Sequence, residues 1–397
     1  ETAPLAVVDA LDGRAVVRRA EWEDHHPRPL LDRAALAQVG QRGPLVRSRV
    51  GRERRRMVRL TESVIAQRPL IVLVGPTAVG KSEIGLRLAR SLETDLLTAD
   101  SRQVYRGMDI ATDKPSMEQR QGVPHRLLDL VDPDERFNAG QYRELAVQEI
   151  ERLYHERRVP LVVGGTGLYV RTLIHGLCDA PRADEAFRAS LLRQVETRGR
   201  YFLHQELMRI DPESAARLHP HDEVKIVRAL EVHHLSGRRL SDVQQRHGFA
   251  EQPFSVLMIG LNRDRAQLYR RIDARVESMF ARGVVEETAS LLARGYRRDS
   301  GAMKGLGYQQ VGGYLSGEYD RAEALRLLQR DTRHFAKRQL TWFRKEPGLQ
   351  WWTLSEQDSP EDVAGRLLER ARSFLLDLEH RRPADVPASL TMETEST

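Results

Sequence analysis

Leu70-Ile71-Val72-Leu73-Val74-Gly75-Pro76-Thr77-Ala78-Val79-Gly80-Lys81-Ser82 is the stretch whose reading decides the fold. Five apolar residues fit a buried strand, a glycine-bounded loop follows, and Ser82-Glu83-Ile84-Gly85-Leu86 opens a helix. The loop satisfies G-x-x-x-x-G-K-[ST], the spacing of a P-loop. Gly75 and Gly80 let successive amides turn inward around a phosphate without a Cβ clash. The helix N-terminus adds a favourable dipole, Lys81 a full charge, and Ser82 a hydroxyl suited to Mg²⁺. Gly75, Pro76, Thr77, Ala78, Val79, Gly80, Lys81 and Ser82 therefore form a candidate diphosphate or nucleotide site, with Ser82 the candidate metal ligand. An ordinary strand-to-helix turn can match the spacing by chance, but the strand before it and the helix after it favour a phosphate. The loop leaves open whether the ligand is a nucleotide such as ATP.

A chain of 397 residues suggests two to three domains, at about 100–200 residues each. With 40% apolar and 30% charged residues it is globular, and its longest apolar runs are far too short to span a bilayer. A net charge of +6, supplied mostly by arginine, favours a polyanionic partner without proving one. The single Cys178 excludes an internal disulfide framework and a multi-cysteine zinc site, and a reducing cytoplasm is the simplest fit.

Residues 1–68 read as a flexible N-terminal extension. Arg47 to Arg59 holds seven arginines in thirteen positions, either a solvated leader or an RNA-touching arm. From Pro69 strands and helices alternate. A second strand, Asp95 to Ala99, ends in Asp100-Ser101-Arg102-Gln103, and a helix spans roughly Ala139 to Arg157. A third strand, Pro160 to Val163, ends in Gly164-Gly165-Thr166-Gly167. This order predicts an α/β fold: a P-loop NTPase-like parallel sheet flanked by helices, with its site along the carboxyl edge of the strands. Residues 69–181 form the first part of that core. Strand signals vanish over 182–248, which reads as an inserted all-helical domain. The core resumes over 249–378 with an apolar run at Phe254–Leu261, helical tracts at Arg263–Arg294 and Asp320–Arg344, a strand at Gln350–Leu354 and a helix at Glu361–Leu378. Residues 379–397 read as a disordered tail.

Asp100 and Ser101 could merely cap a turn, but a carboxylate at the carboxyl edge faces the P-loop ligand and could act as a metal ligand or general base. Thr166 is either a helix N-cap or a hydrogen-bond donor to the ligand. No acidic residue ends the third strand, which weakens a nucleotide-hydrolase reading. Arg330, Arg333, His334, Lys337, Arg338, Arg344 and Lys345, interleaved with Phe335, Trp342 and Phe343, form either an amphipathic core helix or an RNA-binding one. Arg271 and Arg275 pose the same ambiguity.

Taken in order, the motifs from Pro69 to Leu378 resemble the bacterial tRNA dimethylallyltransferase (tRNA isopentenyltransferase) family. They are Gly75–Ser82, Asp100-Ser101-Arg102-Gln103-Val104-Tyr105 on through Thr112, Pro124-His125-Arg126-Leu127-Leu128-Asp129, Val163-Gly164-Gly165-Thr166-Gly167-Leu168-Tyr169, His219-Pro220-His221-Asp222, Arg228-Ala229-Leu230-Glu231-Val232, Gly305-Leu306-Gly307-Tyr308, and Thr332 through Trp342. The resemblance implies transfer of a dimethylallyl group from dimethylallyl diphosphate to N6 of the adenosine 3′ of the anticodon, position 37, with Mg²⁺ as cofactor. It places the donor's diphosphate, not ATP, in the P-loop. It implies Asp100 as general base, Thr166 near the reacting centre and Arg271 on the diphosphate. It implies tRNA contacts at Asp100, Ser101, Arg102 and Gln103, at Arg188, and at Val224, Lys225, Ile226, Val227 and Arg228. A further set of tRNA contacts would lie at Lys304, Gly305, Leu306, Gly307, Tyr308 and Gln309. The insertion would grip the anticodon stem-loop, with the target base flipped into a channel. Gln309 stands where many relatives carry a basic residue, and a C-terminal zinc finger of the eukaryotic type is absent. The expected protein is a cytoplasmic monomer with no membrane contact. The rival readings are an adenylate isopentenyltransferase acting on free nucleotides, a P-loop small-molecule kinase, and an RNA-binding protein with a relic loop.

Overall fold

The computed structural model describes residues 59–199, 201–247 and 252–381. The leader and most of its arginine-rich run, and the tail beyond residue 381, lie outside the described residues. Strand β1 (Pro69–Val74) is buried at all six positions. A parallel strand covered on both faces needs apolar side chains on both, which is why Leu70 to Val74 reads as an unbroken run. Each such side chain contributes roughly 1.5–3 kcal/mol on burial, enough to make β1 the spine of the sheet. It pairs with β4 (Leu161–Gly164) on one side and β5 (Ser255–Arg263) on the other. With β2 (Leu96–Ala99), β3 (His125–Arg126) and β6 (Gln350–Leu354) the order is β3-β2-β4-β1-β5-β6, and every pairing is parallel. Val74 lies opposite both Gly164 and Gly260, so the loops that follow β1, β4 and β5 emerge at one edge.

Helices cover the sheet. Helix α1 (Glu62–Ile65) precedes β1, and α2 (Lys81–Leu92) packs on β1, β2 and β4. Helix α3 (Ala139–His155) buries Tyr142, Ala146, Ile150 and Leu153, a stripe at helical spacing. Asn138 starts it with a capping box, accepting from the Gly140 and Gln141 amides. Helix α4 (Gly167–His175) follows β4 and packs on α3. The insertion comprises α5 (Glu185–Arg198), α6 (Phe202–Ile210), α7 (Pro212–Arg217), α8 (Glu223–Ser236) and α9 (Leu240–His247) around its own apolar core of Leu191, Leu203, Leu207, Ile226 and Leu230. The chain then adds α10 (Arg265–Ala281), α11 (Val284–Ala293), α12 (Tyr308–Leu315), α13 (Arg321–Phe343) and α14 (Pro360–His380), the last packed on α2.

The boundaries differ from expectation in four places, the first being that α14 runs to His380, into the residues read as tail. The core starts before residue 69: Leu60 and Val64 are buried in it, and Gln67 Nε2 donates to the Leu378 carbonyl. The tract from Arg263 to Arg294 is two helices, because Gly283 turns the chain with φ +95° between α10 and α11. The second strand begins at Leu96, since Asp95 is taken up by Arg126, Arg152 and Arg158 at the opposite end of the sheet.

Candidate active site

At the carboxyl edge of the sheet, Gly75 has φ +149°, and a Cβ there would lie 2.6 Å from the Leu261 carbonyl oxygen. Ala78 also sits in the left-handed region, at φ +63°. Two arginines brace the outside of this strained loop: Arg263 Nε donates to the Val79 carbonyl at 3.0 Å, and Arg271 Nε to the Ala78 carbonyl at 2.8 Å. Lys81 Nζ folds back to donate to the Pro76 carbonyl at 2.7 Å. Burial, and then the Arg275 guanidinium, push the Lys81 amine down to about 7, against the pull of Asp100. A bound anion reverses that balance and restores its charge.

Beside the loop lies a cavity of about 380 Å³. Thr77, Lys81 and Ser82 line it from the P-loop, Asp100 to Gln103 from the turn after β2, and Thr166 from the turn after β4. Lys304, Gly305, Leu306, Tyr308 and Gln309 close it from the segment before and within α12. An apolar part is formed by Leu96, Val163, Val276, Met279, Leu328 and Phe335. Asp100 Oδ1 accepts from the Arg102 amide at 2.8 Å and more weakly from the Gln103 amide at 3.4 Å. Its other oxygen carries no hydrogen bond among the described residues. The Thr166 hydroxyl accepts from the Ser101 amide at 2.9 Å and lies 3.3 Å from the Ser101 hydroxyl, tying the turns after β2 and β4 together. Ser101 thus caps nothing in a helix; it locks to Thr166.

Several expected residues stand elsewhere. Arg271, whose Nε holds the Ala78 carbonyl, does not line this cavity but lines a neighbouring one of about 510 Å³ with Gly80, Lys81 and Ser82; Arg275, one turn further along α10, lines both. Arg275 also lies 3.5 Å from Asp113. Ile226 and Val227 are buried in the insertion core, so their side chains are closed to RNA, whereas Val224 is 81% exposed. Arg188 and Arg228 both donate to the buried Glu231, at 2.7 Å each. Lys225 pairs with Asp222. Gly307 does not line the cavity; a Cβ there would sit 2.5 Å from Ala111.

Helix α13 divides the residues of the basic stretch between core, cavity and surface. Phe343 is core, Phe335 lines the cavity, and Arg333 pairs with Asp273 at 2.6 Å. Lys337, Arg338 and Lys345 join Arg171 and Trp342 around a second recess of about 360 Å³, with the Arg171 guanidinium 4.5 Å from the Trp342 ring centre. Gln339, read from the sequence only as part of the motif Thr332 through Trp342, joins two of the loops at the site. Its Oε1 accepts from the Thr77 amide of the P-loop at 2.8 Å, and its Nε2 donates to the Gly165 carbonyl at 2.9 Å. A Cβ at Gly165 would lie 2.4 Å from that nitrogen, so the glycine there serves this strut. Its place in that motif marked the helix, and nothing in the spacing marked the glutamine as a strut.

The class defined by this edge is a P-loop α/β protein with a carboxylate beside the loop, a helical insertion and a basic recess. A family model for IPP transferase matches residues 103–346. The tRNA dimethylallyltransferase of Geobacter sulfurreducens is 50% identical over 282 residues, covering 71% of this chain and 91% of that protein. The crystal structure of the full-length tRNA isopentenylpyrophosphate transferase from Bacillus halodurans superposes with a TM-score of 0.59 at 37% identity, over 79% of this chain and 98% of that one. A eukaryotic dimethylallyltransferase acting on tRNA, at 24% identity, shares the fold with a TM-score of 0.68 over 78% of this chain and 80% of its own. The chain belongs to the IPP transferase family.

Proposed function

We propose that this enzyme transfers a dimethylallyl group from dimethylallyl diphosphate to N6 of the adenosine 3′ of the anticodon, position 37, in tRNA. The observation that carries the reading is that one cavity joins Lys81, Ser82 and Arg275 to Asp100 across an apolar wall. The cations and P-loop amides suit the diphosphate, the apolar side chains suit the prenyl chain, and Asp100 faces the acceptor. In the transfer, the carbon–oxygen bond to the diphosphate breaks as the N6–carbon bond forms, and an N6 proton leaves to Asp100. Positive charge develops on the prenyl carbon and negative charge on the leaving group, so preorganised donors at Lys81, Arg275 and the loop amides lower the barrier.

The residues fit a Mg²⁺ ion. Among the described residues no group of three or more His, Cys, Asp or Glu could form a protein-only cage. Mg²⁺ ordinarily takes one or two protein oxygens and completes its shell with phosphates and water, which suits the Ser82 hydroxyl beside the P-loop. When bound, the ion would neutralise charge building on the diphosphate. Support for RNA as acceptor comes from the recess formed by Arg171, Lys337, Arg338 and Lys345 and from the exposed Val224–Lys225 corner of the insertion. A free mononucleotide needs neither.

Incubation with labelled dimethylallyl diphosphate and either tRNA or AMP tests the reading. Label is expected in tRNA adenosine and absent from AMP. Incorporation into AMP alone would overturn it.

A further inference from the structure

Glu287 of α11 lies outside the cavity, yet its carboxylate joins two of the segments that wall it. Oε2 accepts from the amides of Asp109 at 3.0 Å and Ile110 at 2.8 Å. Oε1 accepts from the Tyr308 hydroxyl at 2.6 Å and, at the long limit of 3.4 Å, from the Ala111 amide. Three consecutive backbone amides converging on one anion form a nest, and hydrogen bonds to a charged acceptor are the strong kind. The break at Gly283 is what starts α11 afresh and sets Glu287 in its first turn, beside the loop.

Both partners of this carboxylate lead directly into the cavity. Ala111, Thr112 and Asp113 line it, as do Gly305, Leu306 and Tyr308. The two segments touch at Gly307 and Ala111, where even a Cβ on the glycine would clash. From the first segment the connection continues. Gln103 Nε2 donates to the Thr112 carbonyl at 3.1 Å and to the Asp113 carbonyl at 3.2 Å, and the Gln103 amide reaches Asp100 Oδ1. Lys114, buried and bound to Asp109 and Asp129, pins the far side of the same loop. The P-loop takes no part in this chain of contacts; it is held separately by Arg263, Arg271 and Gln339.

We propose that Glu287 is a positioning residue for the acceptor half of the site. It clamps the Asp109–Ala111 loop to Tyr308 and, through Gln103, holds Asp100 in line, while the donor half is touched only through the longer Asp113–Arg275 pair at 3.5 Å. The inference rests on the transferase reading above. Its consequence is a separation of kinetic effects: removing the clamp harms use of the RNA and spares use of the prenyl diphosphate.

The test compares Glu287→Gln, Glu287→Ala and Tyr308→Phe with the unaltered full chain in the tRNA transfer assay. Transfer by the unaltered protein is measured first, so that failure of the transferase reading is seen independently of the variants. Glu287→Gln keeps the size of the side chain but turns an NH₂ group toward donors, and kcat/KM for tRNA is expected to fall roughly tenfold to a hundredfold. KM for dimethylallyl diphosphate stays within about twofold. Tyr308→Phe removes one of the four donors, gives a smaller loss, and adds nothing in the Glu287→Ala background. Amide hydrogen exchange at 109–111 speeds up in Glu287→Gln while that of α2 is unchanged. Unchanged kcat/KM for tRNA in Glu287→Gln overturns the proposal. So does a rise in KM for dimethylallyl diphosphate as large as the loss for tRNA, accompanied by a drop in Tm, since that is the mark of a merely structural residue.

Discussion

Arg271 and Arg275 stand one turn apart on α10, and that turn separates their chemistry. The first guanidinium binds a carbonyl on the outer side of the P-loop, and the second reaches the cavity beside Lys81. Arg275→Ala is therefore expected to cost roughly 10²–10³ in kcat, the usual loss for one preorganised donor on a developing anion. Arg271→Ala, which removes the brace on the Ala78 carbonyl and a cation from the neighbouring cavity, should cost less, about tenfold. Steady-state kinetics on the two variants checks this; the reverse order would return the role to Arg271. Asp100→Ala should lower kcat by roughly 10²–10⁴ while tRNA affinity, read by filter binding, is retained. An unchanged rate would remove Asp100 as proton acceptor. Asp100, Thr166 and Lys81 were legible because they stand at strand ends or in a fixed motif. The resemblance singled out Arg271, and Arg275 drew no role because only distances to Lys81 and the cavity show its place.

At the scale of elements, α13 and the insertion show what periodicity conceals. Gln339 on α13 bridges the turns after β1 and β4, and Gln339→Ala would leave the Thr77 amide and the Gly165 carbonyl unpaired. KM for the prenyl diphosphate is expected to rise roughly fivefold to tenfold, with KM for tRNA little changed. Equal effects on both would argue against the strut. In the insertion, Glu231 stands in the motif Arg228-Ala229-Leu230-Glu231-Val232 but drew no role from sequence; it is the buried partner of Arg188 and Arg228. Burial alone would raise its pKa; the bonds from both arginines and the Asp184 amide overcome that and hold it below the usual range. Its folded pKa is depressed, so the stability it contributes is present above the unfolded value, about 4.3, and is lost as pH falls through the folded one. Acid titration followed by circular dichroism should show the insertion loosening below about pH 4, and Glu231→Gln should remove that dependence. At neutral pH the same substitution should cost on the order of 2 kcal/mol, less than a fully buried pair because both guanidiniums are about a third exposed.

For the whole molecule, the parallel sheet, the inserted helical domain and the position of the site were readable from Leu70–Val74, the P-loop spacing and the change of period after residue 181. Strand order was not, because β4 enters between β1 and β2 through pairings that no local pattern encodes. The early start of the core was missed for a similar reason: Leu60 and Val64 are buried by contact with distant elements, not by any period of their own. The recess of Arg171, Lys337, Arg338 and Lys345 should make KM for tRNA rise steeply with added salt while KM for the prenyl diphosphate rises less, as cations on an RNA backbone require. The central claim is that the P-loop cradles a leaving group and spends no nucleoside triphosphate. The measurement that tests it most directly is the stoichiometry of a reaction containing tRNA, dimethylallyl diphosphate, Mg²⁺ and ATP. The account predicts one diphosphate released per prenylated adenosine, with the ATP untouched. Phosphate release from ATP in the absence of the prenyl donor, with no prenylated adenosine when it is supplied, would contradict it.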